Sequence, residues 1–250
     1  TQDLLISSQF KRDIANAKNP LNKFGKRCYS QTDEDGITIE IVKRLNLKKG
    51  IFCEIGSDTG LQNNTLILAA MGWSRILIDA LDLAIDHKKL KRLKFIKEFL
   101  TLDNIVSCIK KGQDSFEKKV IDVMSLDVDS NDYYFSEELL KKGILPKVFI
   151  VEINQKFPPP VEFVVDYDPN FSHQHDYHGA SLTSFTKMFA KYEYSPICCT
   201  LTMGHNAFFI QNQYLDLFKD VPKELESIYN IPSYWSYTHN FGSVSIKTIE

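Results

Sequence analysis

No stretch of this 250-residue chain approaches the ~20 consecutive apolar residues that a bilayer-spanning helix needs, and no signal-peptide pattern opens it at Thr1. There is no C-x-x-C pair among the five cysteines, Cys28, Cys53, Cys108, Cys198 and Cys199. An odd, unpaired set of this kind points to a reducing, cytoplasmic compartment, with Cys53 read as a core thiol. Neither sign of charge dominates: the formal net charge is −2 and the pI about 6.3. That removes any global electrostatic reason to expect nucleic acid or an anionic membrane as partner. The basic run HKKLKRLK at 87–94 reads as a solvated amphipathic helix face, with Leu90, Leu93 and Phe95 among its cations. Internal repeats and low-complexity tracts are absent. Histidine is scarce, six in all, yet half of them fall in HQHDYH at 173–178.

The 43% hydrophobic and 25% charged fractions suit a single soluble α/β domain spanning residues 1–250 with a sizeable core. Apolar runs of strand length alternate with helical patterns: IFCEIG at 51–56, a helix through NNTLILAAMGW ending at Gly72, RILIDA at 75–80, a weaker strand near 95–100, VMSLDVD at 123–129, a helix SEELLKKG capped by Ser136 and stopped by Gly143, and KVFIVEI at 147–153. This rhythm predicts a Rossmann-like α/β sheet, mostly parallel, with helices on both faces. Residues 1–48 read as an N-terminal helical cap. Residues 155–182 form a long Pro- and Asp-punctuated insertion, a length that marks a lid or binding loop. A helix at 182–192 capped by Ser181 or Thr183, then strands ICCTLT and AFFIQN joined by MGHN, predict an antiparallel ending.

Three segments carry candidate chemistry. EIGSDTG at 54–60 lies where a buried strand turns toward a helix, the place where open α/β sheets bind ligands. Gly56 and Gly60 allow close backbone approach there, and Asp79, some 20 residues on at the end of the second strand, can accept hydrogen bonds from a ribose. A capping role competes for Asp79, and for Asn63 and Asn64 at the start of the first helix. SLDVDSND at 125–132 clusters Asp127, Asp129 and Asp132 after the fourth strand, and VEIN places Glu152 and Asn154 after the fifth. Oxygen ligands converging on that edge suit Mg2+ or Mn2+, while an Asx-rich turn explains the same residues without a metal.

The chain resembles class I S-adenosylmethionine-dependent methyltransferases, most closely the FkbM-like group. The resemblance covers about residues 29–212 and rests on YSQTDEDG, EIGSDTGLQNNT, GW followed by ILID, SLDVDSNDY, VEIN with FPPP, DYHGASL and GHNAFF. It implies a seven-stranded sheet with a C-terminal antiparallel hairpin. It implies S-adenosylmethionine as cofactor, with Glu54, Gly56, Asp58, Gly60 and Asn64 at the methionine-side turn, Asp79 on the ribose, and Gln31 and Asp35 approaching from the N-terminal side. Relatives usually carry Gly at the position of Asp58, a departure that Asp tolerates in left-handed backbone better than most residues. Similarity to metal-dependent catechol-type O-methyltransferases at the strand ends implies Asp127, Glu152 and Asn154 as metal ligands. Asp176, Tyr177 and Gly179 then belong to a recurrent D-Y-x-G-A-S-L element.

The expected activity is O-methylation of a small polar acceptor, such as a sugar, glycan unit or nucleotide-linked precursor. Asp176, Tyr177, His178, His205 and Asn206 are the expected acceptor-binding residues, and His173, His175 and Asp127 the catalytic candidates. The partners expected are thus a small-molecule or glycan-precursor substrate and a second copy of the chain in a homo-oligomer. Two alternatives compete. Asp58 motivates a degenerate, non-catalytic methyltransferase-fold binding protein, and HQHDYH a metal-dependent hydrolase whose aspartate sits one place early.

Overall fold

The structure, a computed structural model, describes residues 2–170 and 177–232. The predicted alternation folds into one seven-stranded sheet of order β3-β2-β1-β4-β5-β7-β6. The strands are β1 (Ile51–Ile55), β2 (Ser74–Asp79), β3 (Leu93–Lys97), β4 (Val123–Leu126), β5 (Val148–Glu152), β6 (Tyr194–Cys199) and β7 (Asn206–Gln211). The first five pair in parallel, whereas β7 runs antiparallel to both β5 and β6. This is the Rossmann-like mixed sheet, with its closing hairpin, that the pattern predicts. Strand order reverses between β1 and β4, so the crevice for a ligand opens at their carboxyl ends.

The central strands are buried on both faces, which is why they read as continuous apolar runs. Along β1, Ile51, Cys53 and Ile55 join one core and Phe52 joins the other, the period of two expected of a pleated strand. The first core packs the sheet against α4 (Ile105–Gln113), α5 (Asp132–Lys141) and α6 (Leu182–Ala190) through Ile109, Leu139, Phe185 and Phe189. The second packs Phe52, Leu77, Ile150 and Phe208 against Ile37 and Ile41 of α2 (Glu34–Arg44), Leu68 of α3 (Leu66–Ala70) and Trp73. Ahead of α2 lie α1 (Gln2–Asn16) and a 3-10 turn at Pro20–Phe24, capped by Asn19 and anchored by the buried Leu21. Beyond β7 come a 3-10 turn at Asn212–Phe218 and a short α7 (Leu225–Ile228). Among the described residues, no helix is long and apolar enough to cross a membrane.

Three local expectations are corrected. HKKLKRLK is not a helix: Asp86 caps a single 3-10 turn at His87–Lys89, and β3 begins at Leu93, where Arg75 of β2 is its partner. The run is too short for a crossover helix once Leu93 and Phe95 have joined the second core. Ser136 is not a cap, because α5 starts at Asp132 and buries Ser136 within its body. The α4 helix escapes the strand–helix reading of the sequence, although IVSCIKKGQ is amphipathic. By contrast Ser181 does cap α6, its hydroxyl accepting the Ser184 N–H at 3.2 Å.

Candidate functional site

The carboxyl end of β1 turns at Gly56, whose N–H donates to Ile78 O at 3.0 Å. Gly56 has φ of +79°, and a Cβ there would lie 1.6 Å from Asp127 O on β4's exit. Only glycine lets these two strand ends approach. Asp58 also adopts left-handed backbone, φ 45°, and its N–H donates to the Asp79 carboxylate at 2.6 Å. The turn therefore closes with aspartate in a backbone conformation that glycine adopts more readily. The second Asp79 oxygen accepts the Leu81 N–H at 2.8 Å, so this carboxylate organises both loops at the crevice.

Glu54 does not reach the crevice. It is buried, accepts the N–H groups of Asn64 (2.8 Å) and Thr65 (3.0 Å) together with the Thr65 hydroxyl, and so holds the start of α3. Burial outweighs these donors and raises its pKa to about 7. The folded chain then keeps a proton that the unfolded chain releases near 4.5, so stability is greatest below that pH and falls as pH rises toward 7. At about 1.4 kcal/mol per unit the loss is on the order of 3 kcal/mol. Urea midpoints measured from pH 5 to 8 are expected to fall in the wild type and to fall distinctly less in Glu54→Gln. Equal slopes would remove Glu54 from this role.

YSQTDEDG reads differently in three dimensions. Asp33 accepts the N–H groups of Leu201 (2.9 Å) and Thr202 (3.2 Å), tying α2 to the turn before β7. Asp35 accepts the N–H groups of Cys28, Tyr29 and Ser30 at 2.6 to 2.9 Å, so it shapes the loop that carries the exposed Gln31. Glu34, which the sequence alone does not single out, lies in a buried polar network. It accepts the Asn206 amide at 3.0 Å and the Thr32 hydroxyl at 2.8 Å, and its Oε1 is 3.6 Å from His205 Nε2. Asn206 exchanges hydrogen bonds with Asn64, whose amide also reaches the Ser125 hydroxyl at 3.2 Å. Asn64 and Asn206 thus join the first turn to β4 and β7.

Beside this network a cleft of about 330 Å³ opens over the strand ends, walled by Gly56, Asp58 and Asp79 on one side, Glu98, Phe99 and Leu100 below, and Asp127 to Asn131 opposite. None of its described lining residues is basic. Next to it, one carboxylate oxygen from each of Asp127, Asp129 and Glu152 lies within 4.8 Å of the other two. Burial, then the neighbouring carboxylates, push Asp127 and Glu152 well above the usual carboxylate range. Asp132 stands apart, accepting the Val128 and Ser130 N–H groups at 2.9 and 3.0 Å, and burial raises it to about 7.

Asn154, two residues beyond Glu152, is engaged at the insertion. Its amide donates to His178 O at 3.1 Å, its carbonyl accepts the Lys156 N–H, and its own N–H donates to Ala180 O. It therefore clamps the two ends of the insertion together. His178 follows that clamp, with Nδ1 3.8 Å from Glu152 Oε2. Tyr177 is half exposed, its hydroxyl 3.4 Å from Asp166. His173, His175 and Asp176 lie outside the described residues.

No protein-family model matches the chain, and no curated protein does. Some solved structures resemble it at low identity. A protein from Lactococcus lactis described as a candidate hemolysin is 15% identical, with 74% of this chain and 90% of that one covered and a TM-score of 0.46. A methyltransferase from Podospora anserina solved with S-adenosylhomocysteine is 11% identical, covering 73% and 79%, with a TM-score of 0.43. The 1,6-didemethyltoxoflavin-N1-methyltransferase of Burkholderia thailandensis is 10% identical, covering 83% and 84%, at 0.40.

Proposed function

We propose that the chain is an S-adenosylmethionine-dependent O-methyltransferase of the FkbM-like kind, acting on a hydroxyl of a small polar acceptor such as a sugar or glycan-precursor unit. The observation that carries this reading is the charge of the cleft: carboxylates Asp58, Asp79, Glu98, Asp127 and Asp129 line it with no basic side chain among the described residues. A nucleotide cofactor with a pyrophosphate meets repulsion there, whereas a sulfonium is attracted. Asp79, at the end of β2, suits a ribose diol, and Phe99 with Leu100 offers an apolar wall for a flat base.

Bound S-adenosylmethionine supplies an electrophilic methyl group: the acceptor oxygen bonds to it as the carbon–sulfur bond breaks, leaving a neutral thioether. The protein's part is alignment and a proton acceptor. Asp127 faces the cleft to orient the acceptor, while Tyr177, His178, His205 and Asn206 surround the approach from the β5 and β7 ends. His173 or His175 takes the hydroxyl proton. Their support is position in the chain, since His178, a few residues on, stands beside Glu152.

Calorimetric titration with S-adenosylmethionine and S-adenosylhomocysteine tests the reading directly. Saturable binding of both is expected, followed by label transfer from a methyl-labelled cofactor to a hydroxylated acceptor from a sugar library. Absence of heat and of any thermal shift at millimolar cofactor would sink the proposal.

A further inference from the structure

We infer that a pocket at the amino end of β2, lined by Trp73, Arg75, Lys89, Lys91 and Arg92, binds a terminal phosphate group carried by a small molecule or a lipid headgroup. The inference is independent of the methyl-transfer reading, whose cleft lies at the carboxyl end of the same strand.

The basic segment 87–94 takes no part in that cleft, so its cations need another account. Its backbone folds onto β2: the Arg75 N–H donates to Arg92 O at 2.8 Å, and Arg92 Nη1 donates to Gly72 O at 2.9 Å. Between segment and strand lies a pocket of about 270 Å³. Arg75, Lys89, Lys91 and Arg92 all line it, and none of its described lining residues is acidic. Arg75 and Asp79 stand four residues apart on β2, roughly 13 Å along a strand. One strand thus carries a basic pocket at one end and an acidic cleft at the other.

Two donors of this pocket are buried without acceptors. Trp73 is only 1% exposed, and its Nε1 has no hydrogen-bond partner. Its six-membered ring lies against Gly50 through Cζ3 and Cε3, which leaves the N–H on the opposite edge. Arg75 Nε is likewise enclosed and unpartnered. Burial lowers the pKa of this guanidinium, and no carboxylate offsets it. Asp122, the acid beside Gly50, is already held by Lys118 and Lys147. The one ion pair of the rim is Lys89 with the exposed Asp86, at 3.8 Å. A desolvated guanidinium and a buried indole N–H both call for an acceptor, and an anion in the pocket supplies one.

The donor set selects the anion. A guanidinium presents parallel N–H groups that match two oxygens of one phosphate, while the lysines add point charges around it. A dianion gains more from four cations than a carboxylate does. Donors on floor and rim reach a terminal phosphate, which has three free oxygens, better than a diester inside a polymer backbone. Leu90, on the rim, is exposed and apolar, which is why a lipid headgroup is tested beside a soluble phosphate.

The test follows the Trp73 indole N–H by nitrogen-15 NMR in the full chain, with Trp235→Phe removing the other indole signal. Inorganic phosphate is titrated in at constant ionic strength, with chloride as the blank. A saturable shift of the Trp73 signal is expected. Affinity should fall at least ~10-fold in Arg75→Gln and by no more than about twofold in Lys219→Gln, an exposed lysine paired with Asp216. Without phosphate, Arg75→Gln should melt no earlier than the wild type, because it removes a desolvated charge that lacks a partner. Should Arg75→Gln fail to fold, the double variant Lys89→Gln, Lys91→Gln changes only exposed side chains, and its affinity should also fall. A Trp73 signal that phosphate leaves unmoved, or that chloride moves as far, would overturn the site; so would equal affinity in all the variants. Sedimentation with phosphatidylcholine vesicles, plain or doped with phosphatidic acid, separates the two sources. Binding to the doped vesicles alone, lost in Arg75→Gln, assigns the site to a headgroup. Phosphate binding with no sedimentation assigns it to a soluble phosphorylated compound.

Discussion

Gly56→Ala is expected to lose at least ~4 kcal/mol of folding stability and, with it, measurable S-adenosylmethionine binding. Two effects combine. The first is the left-handed backbone at φ +79°, which costs an alanine about 1 to 2 kcal/mol. The second is the Cβ placed 1.6 Å from Asp127 O, an overlap with backbone that no side-chain rotation relieves. Either β1 or β4 must move, at the strand ends that form the crevice. Gly143→Ala separates the two effects, because its φ is +78° but its Cβ would meet nothing within 4 Å. The control should lose only about 1 kcal/mol. Urea midpoints for both variants decide the matter: equal losses would mean that strand approach at Gly56 contributes nothing.

The sheet was legible because buried strands declare themselves. IFCEI, SRILID and VFIVE are mostly apolar on both faces; SRILID and VFIVE end in Asp79 and Glu152, and Gly56 directly follows IFCEI. The hairpin was equally plain, since MGHN separates two apolar runs with no room for a helix. HKKLKRLK misled because helical spacing of leucines coincides with strand alternation over so short a run, and pairing with β2 decided between them. The site divided along the same line. Backbone-determined residues, Gly56, Asp58 and Asp79, stand where the strand–turn pattern puts them.

Side chains that depend on contacts far along the chain did not read out. Glu34 acquires meaning only through Asn206, 172 positions away, and Asp33 through Leu201, 168 away. Asn154 and Asp129 take their places for a similar reason. Asn154 serves the clamp that closes the insertion, a contact no local motif encodes, and Asp129 enters the cluster through a left-handed turn of φ 56°. The N-terminal acids form a comparable case: Glu34 and Asp35 are spent inside the protein, while Tyr29 and Gln31 of YSQTDEDG are exposed.

Asp79→Ala is the substitution that tests the cleft itself. Its carboxylate anchors the Asp58 N–H and the Leu81 N–H, and on the proposed reading it is the charged acceptor for a ribose diol. Hydrogen bonds to a charged group contribute about 1.5 to 3 kcal/mol each, so losing this contact should weaken cofactor binding by roughly 10- to 150-fold. S-adenosylmethionine and S-adenosylhomocysteine share the ribose and differ in the sulfonium charge. Both should therefore lose affinity by the same factor in calorimetric titrations. A loss confined to S-adenosylmethionine would assign Asp79 to the positive charge and move the ribose elsewhere in the cleft. Asp79→Asn keeps one oxygen and can anchor one of the two N–H groups, so its folding stability should fall less than that of the Ala variant while its cofactor affinity falls between the Ala variant and the wild type. If the Asn variant instead binds as weakly as the Ala variant with both melting early, Asp79 acts by holding the turn, and the cofactor meets the turn alone.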